Sequence, residues 1–182
     1  MTAPRLPGDP TPAEFVERAL RVDHAGEVGA VRIYEGQLAV LGKGPSGDAL
    51  RAMKAKEEAH RDELAGLIAA RGVRPTALSP IWSVAGYALG AATALLGPKA
   101  AMAATVAVEE VIEEHYRDQE ATLARHGTEP ELAATVARFG ADETAHKDEA
   151  LALGAREAPG YTLLTSAIKA GSRLAIWLST RI

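Results

Sequence analysis

Two copies of one polar pattern constrain this chain more than any other feature of its sequence. Each copy is a single glutamate followed by a Glu-x-x-His segment, 30 residues later in the first copy and 34 in the second. The six residues are Glu27, Glu57, His60, Glu109, Glu143 and His146. Side chains three positions apart share one face of a helix, so each Glu-x-x-His pair can reach a common point. One such pair occurs by chance, but two pairs, each preceded by a glutamate, predict a shared site.

The surroundings of Glu109 indicate what that site must hold. Glu109 directly follows the apolar residues 100–108, which are typical of a helix buried on all sides. Burying an unpaired carboxylate costs several kcal/mol, so a cation or a proton has to neutralise it. The four glutamates carry four formal negative charges, which two divalent metal ions would balance. The chain has no cysteine, and a set of carboxylates and imidazoles suits iron or manganese.

Capping and turn residues predict four long helices, at about 12–41, 47–71, 98–126 and 129–153. Thr11, Pro12 and Glu14 form a capping box with proline at the first helical position. Gly42 ends the first helix, and Gly127 ends the third. Thr128 with Pro130 and Glu131 repeats the start signal of the first helix. Helices of this length are typical of a four-helix bundle.

The spacing around the turns places the six residues at one level. Glu27 lies 17 residues before Gly44 and His60 lies 16 after it, while Glu109 lies 18 before Gly127 and His146 lies 19 after it. In antiparallel helices joined by short turns, such residues stand at equal height. We therefore predict an all-α fold, a ferritin-like four-helix bundle forming a single domain over 1–182. One Glu from each of two helices plus Glu-x-x-His from the other two is the ligand set of di-iron and di-manganese carboxylate proteins.

Two apolar segments lie outside the four helices, at about 75–97 and 160–181. The first contains no charged residue and predicts a long helical crossover between the second and third helices. Its helix, at 81–96, would be about 24 Å long, and a single crossing of a bilayer would also separate the ligands. We therefore expect this segment to lie in one leaflet of a membrane or to cap the bundle, with an oligomer interface through Gly86 and Gly90 as the alternative. The second segment predicts an amphipathic helix whose Lys169, Arg173 and Arg181 face anionic head groups.

Several polar residues near the pattern have more than one interpretation. Asp23 could orient a ligating histidine, and His24 could lie beside the ligands or on the surface. Glu58, Glu110, Glu113 and Glu114 are expected to be solvated charges on the helix surfaces.

The net charge of −4, with no basic run, argues against nucleic-acid binding. Residues 1–12 lack an apolar secretory segment, which favours a cytoplasmic protein or a processed organelle protein.

Six stretches of the chain resemble the demethoxyubiquinone hydroxylase family, the di-iron monooxygenases of ubiquinone biosynthesis. The stretches are Arg21-Val22-Asp23-His24-Ala25-Gly26-Glu27, Ile33-Tyr34-Glu35-Gly36-Gln37, Val73-Arg74-Pro75-Thr76, Thr93-Ala94-Leu95-Leu96-Gly97, Thr105-Val106-Ala107-Val108-Glu109-Glu110 and His115-Tyr116. The resemblance covers about residues 18–182 and places the family's iron ligands on the same six residues. Two positions depart from it, Ala104 and Thr180, and neither is a ligand.

The resemblance implies an activity. Two Fe²⁺ ions per chain would use O₂ to hydroxylate a ring carbon of a polyprenyl demethoxyubiquinone or its quinol, with electrons from a reduced nicotinamide or the quinol pool. We expect His115 and Tyr116 to act in catalysis from positions beside the ligands, and Trp82, Tyr87 and Leu95 to contact the substrate.

The resemblance also implies a location and partners. The protein would be peripheral on the cytoplasmic face of a bacterial inner membrane, or on the matrix side in mitochondria. A homo-oligomer or a quinone-presenting protein partner is expected. Iron storage, a manganese catalase and a metal-free helical scaffold remain as alternatives.

Overall fold

Six α-helices make up almost all of residues 10–182, the part of the chain that the computed structural model describes. They are α1 (Pro12–Leu41), α2 (Gly47–Arg71), α3 (Ser79–Leu95), α4 (Pro98–His126), α5 (Pro130–Ala152) and α6 (Tyr161–Ser179), with a 3₁₀ turn at Ala155–Glu157. No strand occurs within 10–182, so the all-α prediction is confirmed. Residues 1–9, part of the segment in which we expect no secretory signal, lie outside the described residues.

The helix ends follow the predicted signals with one exception. Thr11 and Glu14 form the capping box of α1, and Gly127, with φ of 67°, ends α4 in the left-handed conformation. The prediction that Thr128 caps α5 is wrong, because the residue before the helix is Glu129 and no side chain caps it. The Glu129 carboxylate instead accepts a hydrogen bond of 2.9 Å from Arg71 at the end of α2.

Two apolar clusters fill the bundle on either side of its polar middle. One cluster contains Tyr34, Leu50, Met53, Met102 and Val106, and the other contains Leu20, Leu64, Tyr116, Leu123 and Phe139. The polar residues of the duplicated pattern lie between these clusters along all four helices α1, α2, α4 and α5. A core on both sides therefore keeps water away from the middle layer.

Close packing attaches α3 to α1. A Cβ atom on Gly90 would lie 2.0 Å from the carbonyl oxygen of Ile33, and one on Gly36 would lie 2.2 Å from that of Tyr87. Only glycine permits this approach of two helix backbones. Gly86 and Gly90 are buried against α1, so the prediction that they form an oligomer interface is wrong.

Ion pairs attach α6 to α4. Lys169 pairs with Glu110, and Arg173 pairs with Glu114 at 3.0 Å. These two cations were expected to face lipid head groups, but they face α4, because glutamates one turn apart on α4 match the spacing of the cations on α6. Glu113 and Glu58 are also paired, with Lys147 and Lys54, rather than only solvated.

The apolar surface of the molecule is concentrated on α3 and α6. Large exposed side chains there are Ile81, Val84, Leu95, Leu96, Leu163, Leu174 and Trp177. Within residues 10–182, no helix is both long and apolar enough to cross a bilayer.

Candidate metal centre

The six residues of the duplicated pattern meet in the middle of the bundle, and all of them are buried. They form two overlapping groups, in each of which one ligand atom per residue lies within 4.8 Å of the others. The first group is Glu27, Glu57, His60 and Glu143, and the second is Glu57, Glu109, Glu143 and His146. Glu57 and Glu143 belong to both groups. If each group held one metal ion, the two ions would share Glu57 and Glu143.

Both histidines point the same ring nitrogen into the cluster. Nδ1 of His60 lies 3.5 Å from Glu143 and 3.8 Å from Glu27. Nδ1 of His146 lies 2.8 Å from Glu57 and 3.6 Å from Glu143. The Nε2 atom of each ring therefore faces away from the four glutamates of the cluster.

The polar atoms of the cluster fit a metal centre. Every one of the six residues has at least one buried nitrogen or oxygen atom that forms no hydrogen bond, and both carboxylate oxygens of Glu57 and Glu143 are in this position. Buried polar atoms are almost always partnered in proteins, so a set of them converging on one point calls for a ligand. Carboxylate oxygens and imidazole nitrogens are ligands for iron and manganese.

Burial and charge set the ionisation of these groups in the protein alone. Burial raises the pKa of Glu57 and Glu109 well above the usual range, and the charge of Glu143 adds to the effect. Burial would also raise the pKa of Glu143, but the adjacent imidazoles of His146 and His60 lower it to about 2. Burial would lower the pKa of His60, but the adjacent carboxylates of Glu143 and Glu27 raise it to about 10. The buried cluster of carboxylates therefore favours the binding of cations or protons.

Two tyrosines hydrogen-bond the unshared glutamates, Glu27 and Glu109, each of which belongs to only one of the two groups. The hydroxyl of Tyr116 donates a hydrogen bond of 2.5 Å to Oε1 of Glu27, and that of Tyr34 donates one of 2.7 Å to Oε1 of Glu109. Burial and the adjacent carboxylates raise the pKa of both tyrosines well above the usual range, so both stay neutral donors. Each tyrosine lies seven residues after the glutamate that the other one holds.

His115 belongs to neither of the two groups of four residues. Its Nε2 is 3.0 Å from Oδ1 of Asp23, and the side-chain amide of Gln119 donates a hydrogen bond of 2.6 Å to the same oxygen. Asp23 was considered as a partner for a ligating histidine, but it contacts His115 instead. His24 is half-buried, and burial lowers its pKa.

Asp142 is a functional candidate that the sequence analysis missed. Its Oδ2 accepts a hydrogen bond of 3.1 Å from Nε2 of His60, and its other oxygen pairs with Lys56. In the sequence, the feature that could have pointed to Asp142 is its position directly before Glu143, which lies on the side of α5 that faces α2.

A large apolar cavity of about 560 Å³ lies between α1, α3, α4 and α6. Its wall includes Gly26, the neighbour of Glu27, and Val108, the neighbour of Glu109. Trp82 also lines it and donates a hydrogen bond of 2.9 Å from Nε1 to Ser179. Tyr87 and Leu95 do not line it, because both side chains point outward from α3, with exposed fractions of 38% and 76%. The structure thus places one of the three substrate candidates at the cavity.

A smaller polar cavity of about 390 Å³ adjoins the end of α6 and is lined by Arg18, Arg21, Thr180 and Arg181. None of these three arginines forms an ion pair with a carboxylate in the described part of the chain. Arg21 donates to the carbonyl oxygen of Arg74 at 3.0 Å. Ser179, which lines the large cavity, directly precedes Thr180, so the two cavities are neighbours.

Comparisons with known proteins agree on one family. Residues 14–179 match the family described as "Ubiquinone biosynthesis protein COQ7". The chain is 55% identical over 179 residues to a 3-demethoxyubiquinol 3-hydroxylase of Rhodospirillum rubrum, covering 98% of this chain and 84% of the relative. It is 48% identical over 169 residues to the Homo sapiens protein named NADPH-dependent 3-demethoxyubiquinone 3-hydroxylase, mitochondrial, covering 92% and 78%. It is 40% identical over 185 residues to the mitochondrial 5-demethoxyubiquinone hydroxylase of Saccharomyces cerevisiae, covering 93% and 79%.

Proposed function

The chain belongs to the COQ7 family of ubiquinone biosynthesis proteins, and from that membership we propose that it is a di-iron monooxygenase that hydroxylates a ring carbon of a polyprenyl demethoxyubiquinone or its quinol. Its relatives are named as hydroxylases of this substrate, and the family is one of oxidoreductases. In the proposed reaction, one atom of O₂ replaces a ring hydrogen as a hydroxyl group. The other atom leaves as water, with two electrons and two protons from a reductant.

The observation that carries the proposal is the buried cluster of six ligand side chains. Glu57 and Glu143 would bridge two ions, with Glu27 and His60 completing one position and Glu109 and His146 the other. A pair of iron ions bound there would supply the activation of O₂. The protein's own share is to hold the ligands rigidly, which the hydrogen bonds from Tyr34 and Tyr116 to the two unshared glutamates support.

The apolar cavity supports a lipid-like substrate. Its wall is formed mostly by aliphatic, glycine and alanine residues from four helices, together with Ser172, Ser179 and Trp82. A quinone ring in the cavity would approach the ligands from the side of Gly26 and Val108, and the prenyl tail would extend between α3 and α6. The aliphatic wall would also exclude water from the reacting ring. Iron storage needs no such cavity.

A reduced nicotinamide is the proposed source of electrons. Several relatives, from Dictyostelium discoideum to Homo sapiens, are named NADPH-dependent. The arginines Arg18, Arg21 and Arg181, which form no ion pair with a carboxylate within residues 10–182, line a cavity next to the substrate cavity. Guanidinium groups bind phosphates through paired hydrogen bonds, so this cavity suits the phosphate groups of such a donor.

The exposed apolar side chains of α3 and α6 support peripheral membrane binding. Leu95, Leu96, Leu163 and Trp177 would enter the interface. Of the three predicted head-group contacts, Arg181 is the one without a carboxylate partner in the described part of the chain. The eukaryotic relatives are named mitochondrial. We propose the cytoplasmic face of the inner membrane for a bacterial protein, or the matrix side of the mitochondrial inner membrane, with a homo-oligomer or a quinone-presenting protein as a possible partner.

Isotope labelling tests the proposed reaction. The iron-loaded protein is incubated with NADPH, demethoxyubiquinone in phospholipid vesicles and ¹⁸O₂, and the quinone product is analysed by mass spectrometry. The proposal predicts one ¹⁸O atom per hydroxylated ring, with no label when the oxygen of the water is labelled instead. An iron-loaded protein that yields no hydroxylated quinone with either NADPH or a chemical reductant would overturn it. Product formed with the chemical reductant alone would limit the failure to the electron donor.

A further inference from the structure

The two halves of the duplicated pattern differ at the residue before each Glu-x-x-His segment. This residue is Lys56 in the first half and Asp142 in the second. The structure pairs these two side chains with each other across α2 and α5. The repeat is therefore symmetric in its six ligands and asymmetric directly beside them.

The two ligating histidines differ in the hydrogen bond made by their outer ring nitrogen, Nε2. Nε2 of His60 donates a hydrogen bond of 3.1 Å to Oδ2 of Asp142. Nε2 of His146 is buried and has no hydrogen-bond partner among residues 10–182. Each ring has Nδ1 facing the carboxylates, so in each the outer nitrogen decides how firmly the ring is held.

The antiparallel packing of α2 and α5 explains the difference. His60 faces Glu143 and Asp142, and His146 faces Glu57 by the same register. Lys56 holds the same place in the first Glu-x-x-His segment that Asp142 holds in the second, so it is the repeat's counterpart of Asp142 with respect to His146. An ammonium group has no lone pair to accept a hydrogen bond, whereas a carboxylate accepts readily. His146 thus lacks the acceptor that its counterpart has.

We propose that the two metal positions are unequal, and that Asp142 and Lys56 make them so. The position built on His60 is the tight one and fills first, and the position built on His146 is the weak one. Asp142 acts as a positioning residue through His60, because a carboxylate on the outer nitrogen orients a ligating imidazole and makes it more basic. Losing such a partner typically weakens metal binding by about 10–100-fold. The inference rests on the proposed di-metal site.

The first test asks which position is tight. The purified chain, its His60→Ala variant and its His146→Ala variant are titrated anaerobically with Fe²⁺ by calorimetry. We expect His146→Ala to keep one ion with the affinity of the first wild-type step. We expect His60→Ala to bind its remaining ion at least about tenfold more weakly. Equal affinities in the two variants, or tighter binding in His60→Ala, would overturn the proposal.

The second test asks whether the residues before the ligands cause the inequality. Asp142→Ala should weaken the first step by about 10–100-fold, and Asp142→Asn should restore part of it, because the amide oxygen still accepts from His60. Lys56→Gln should tighten the second step, since a glutamine oxygen can accept from Nε2 of His146. Lys56→Ala is the matched control, which removes the ion pair to Asp142 without adding an acceptor.

Each outcome of the second test is decisive. Circular dichroism and thermal unfolding verify that every variant folds. An Asp142→Ala variant with an unchanged first step contradicts the proposal, as does a Lys56→Gln variant that behaves like Lys56→Ala. A wild-type chain that binds no Fe²⁺ at all would instead reject the proposed di-metal site. Two ions bound with the inequality unaffected by residues 56 and 142 would reject only this inference.

Discussion

Tyr34 on α1 donates a hydrogen bond of 2.7 Å to Oε1 of Glu109 on α4, across the centre of the bundle. Both side chains are almost fully buried, with exposed fractions of 1%. Tyr116 on α4 makes the reciprocal bond back to Glu27 on α1. Each half of the duplicated sequence thus supplies the tyrosine that hydrogen-bonds the unshared glutamate of the other half.

Removing the Tyr34 hydroxyl should destabilise the protein measurably. Tyr34→Phe leaves a buried carboxylate oxygen of Glu109 without its donor, which typically costs about 1–3 kcal/mol. Urea unfolding of the metal-free protein measures the change in the free energy of unfolding. Tyr87→Phe is the control, because that side chain is exposed and its hydroxyl bonds to no residue within 10–182. Equal unfolding free energies for the two variants would contradict the role assigned to the hydrogen bond.

The glycine contact between α1 and α3 makes a second stability prediction. In Gly90→Ala the new methyl group would lie 2.0 Å from the carbonyl oxygen of Ile33, so the helices must separate. Overpacking of this kind costs about 1–3 kcal/mol or more.

A glycine-to-alanine substitution on the exposed face of α2 provides the control for Gly90→Ala. Gly66 is exposed, and a Cβ atom there would meet nothing within 4 Å. Gly66→Ala should therefore stabilise the protein, by up to about 1 kcal/mol, through helix propensity. Thermal unfolding of both variants compares them directly. A Gly90→Ala protein as stable as the wild type would mean that α3 does not depend on close packing against α1.

The sequence predicts the bundle and its centre for identifiable reasons. The capping box at Thr11 and the glycines at Gly42 and Gly127 mark helix ends through local backbone chemistry. Equal spacing from the turns then predicts the layer of six ligands, which the structure brings together. Family membership likewise confirms the resemblance seen in the motifs.

What the sequence could not predict depends on packing between helices. Gly86 and Gly90 mark a close helix contact, but nothing local shows that the partner is α1 rather than a second chain. Lys169 and Arg173 look like membrane contacts until α6 is seen lying on α4, opposite Glu110 and Glu114. The bond between Asp142 and His60 likewise depends on the register of α2 against α5.

Filling the apolar cavity should block the substrate without disturbing the metal centre. Gly29 lines the cavity, and a Cβ atom there would meet nothing within 4 Å. Gly29→Leu should therefore fold and keep its metal, while the larger side chain occupies the proposed ring or tail position. We expect kcat/KM for demethoxyubiquinone to fall by about tenfold or more. Gly66→Leu, on the exposed face of α2, should leave kcat/KM unchanged. Full activity of Gly29→Leu would show that the substrate binds elsewhere.

A charge on the exposed apolar surface of α3 should weaken membrane binding. Leu95 is 76% exposed and lies away from both cavities. Placing a carboxylate in a membrane interface is unfavourable, so Leu95→Asp should bind anionic phospholipid vesicles about tenfold less in a sedimentation assay. Activity on a membrane-embedded long-tail quinone should fall more than activity on a short-tail analogue in solution. Ala65→Asp, which adds the same charge to the exposed face of α2, serves as control. Equal vesicle binding by both variants would remove α3 from the proposed membrane surface.

Metal analysis tests the central claim most directly. The wild type, Glu57→Ala and Glu58→Ala are reconstituted anaerobically with Fe²⁺, freed of unbound metal, and their iron content is measured by atomic emission. Glu57 belongs to both groups of ligands, whereas its neighbour Glu58 pairs with Lys54 on the surface of α2. The account predicts about two iron ions per chain in the wild type and in Glu58→Ala, and a loss of both in Glu57→Ala. No stoichiometric iron in the wild type, or full retention in Glu57→Ala, would contradict it.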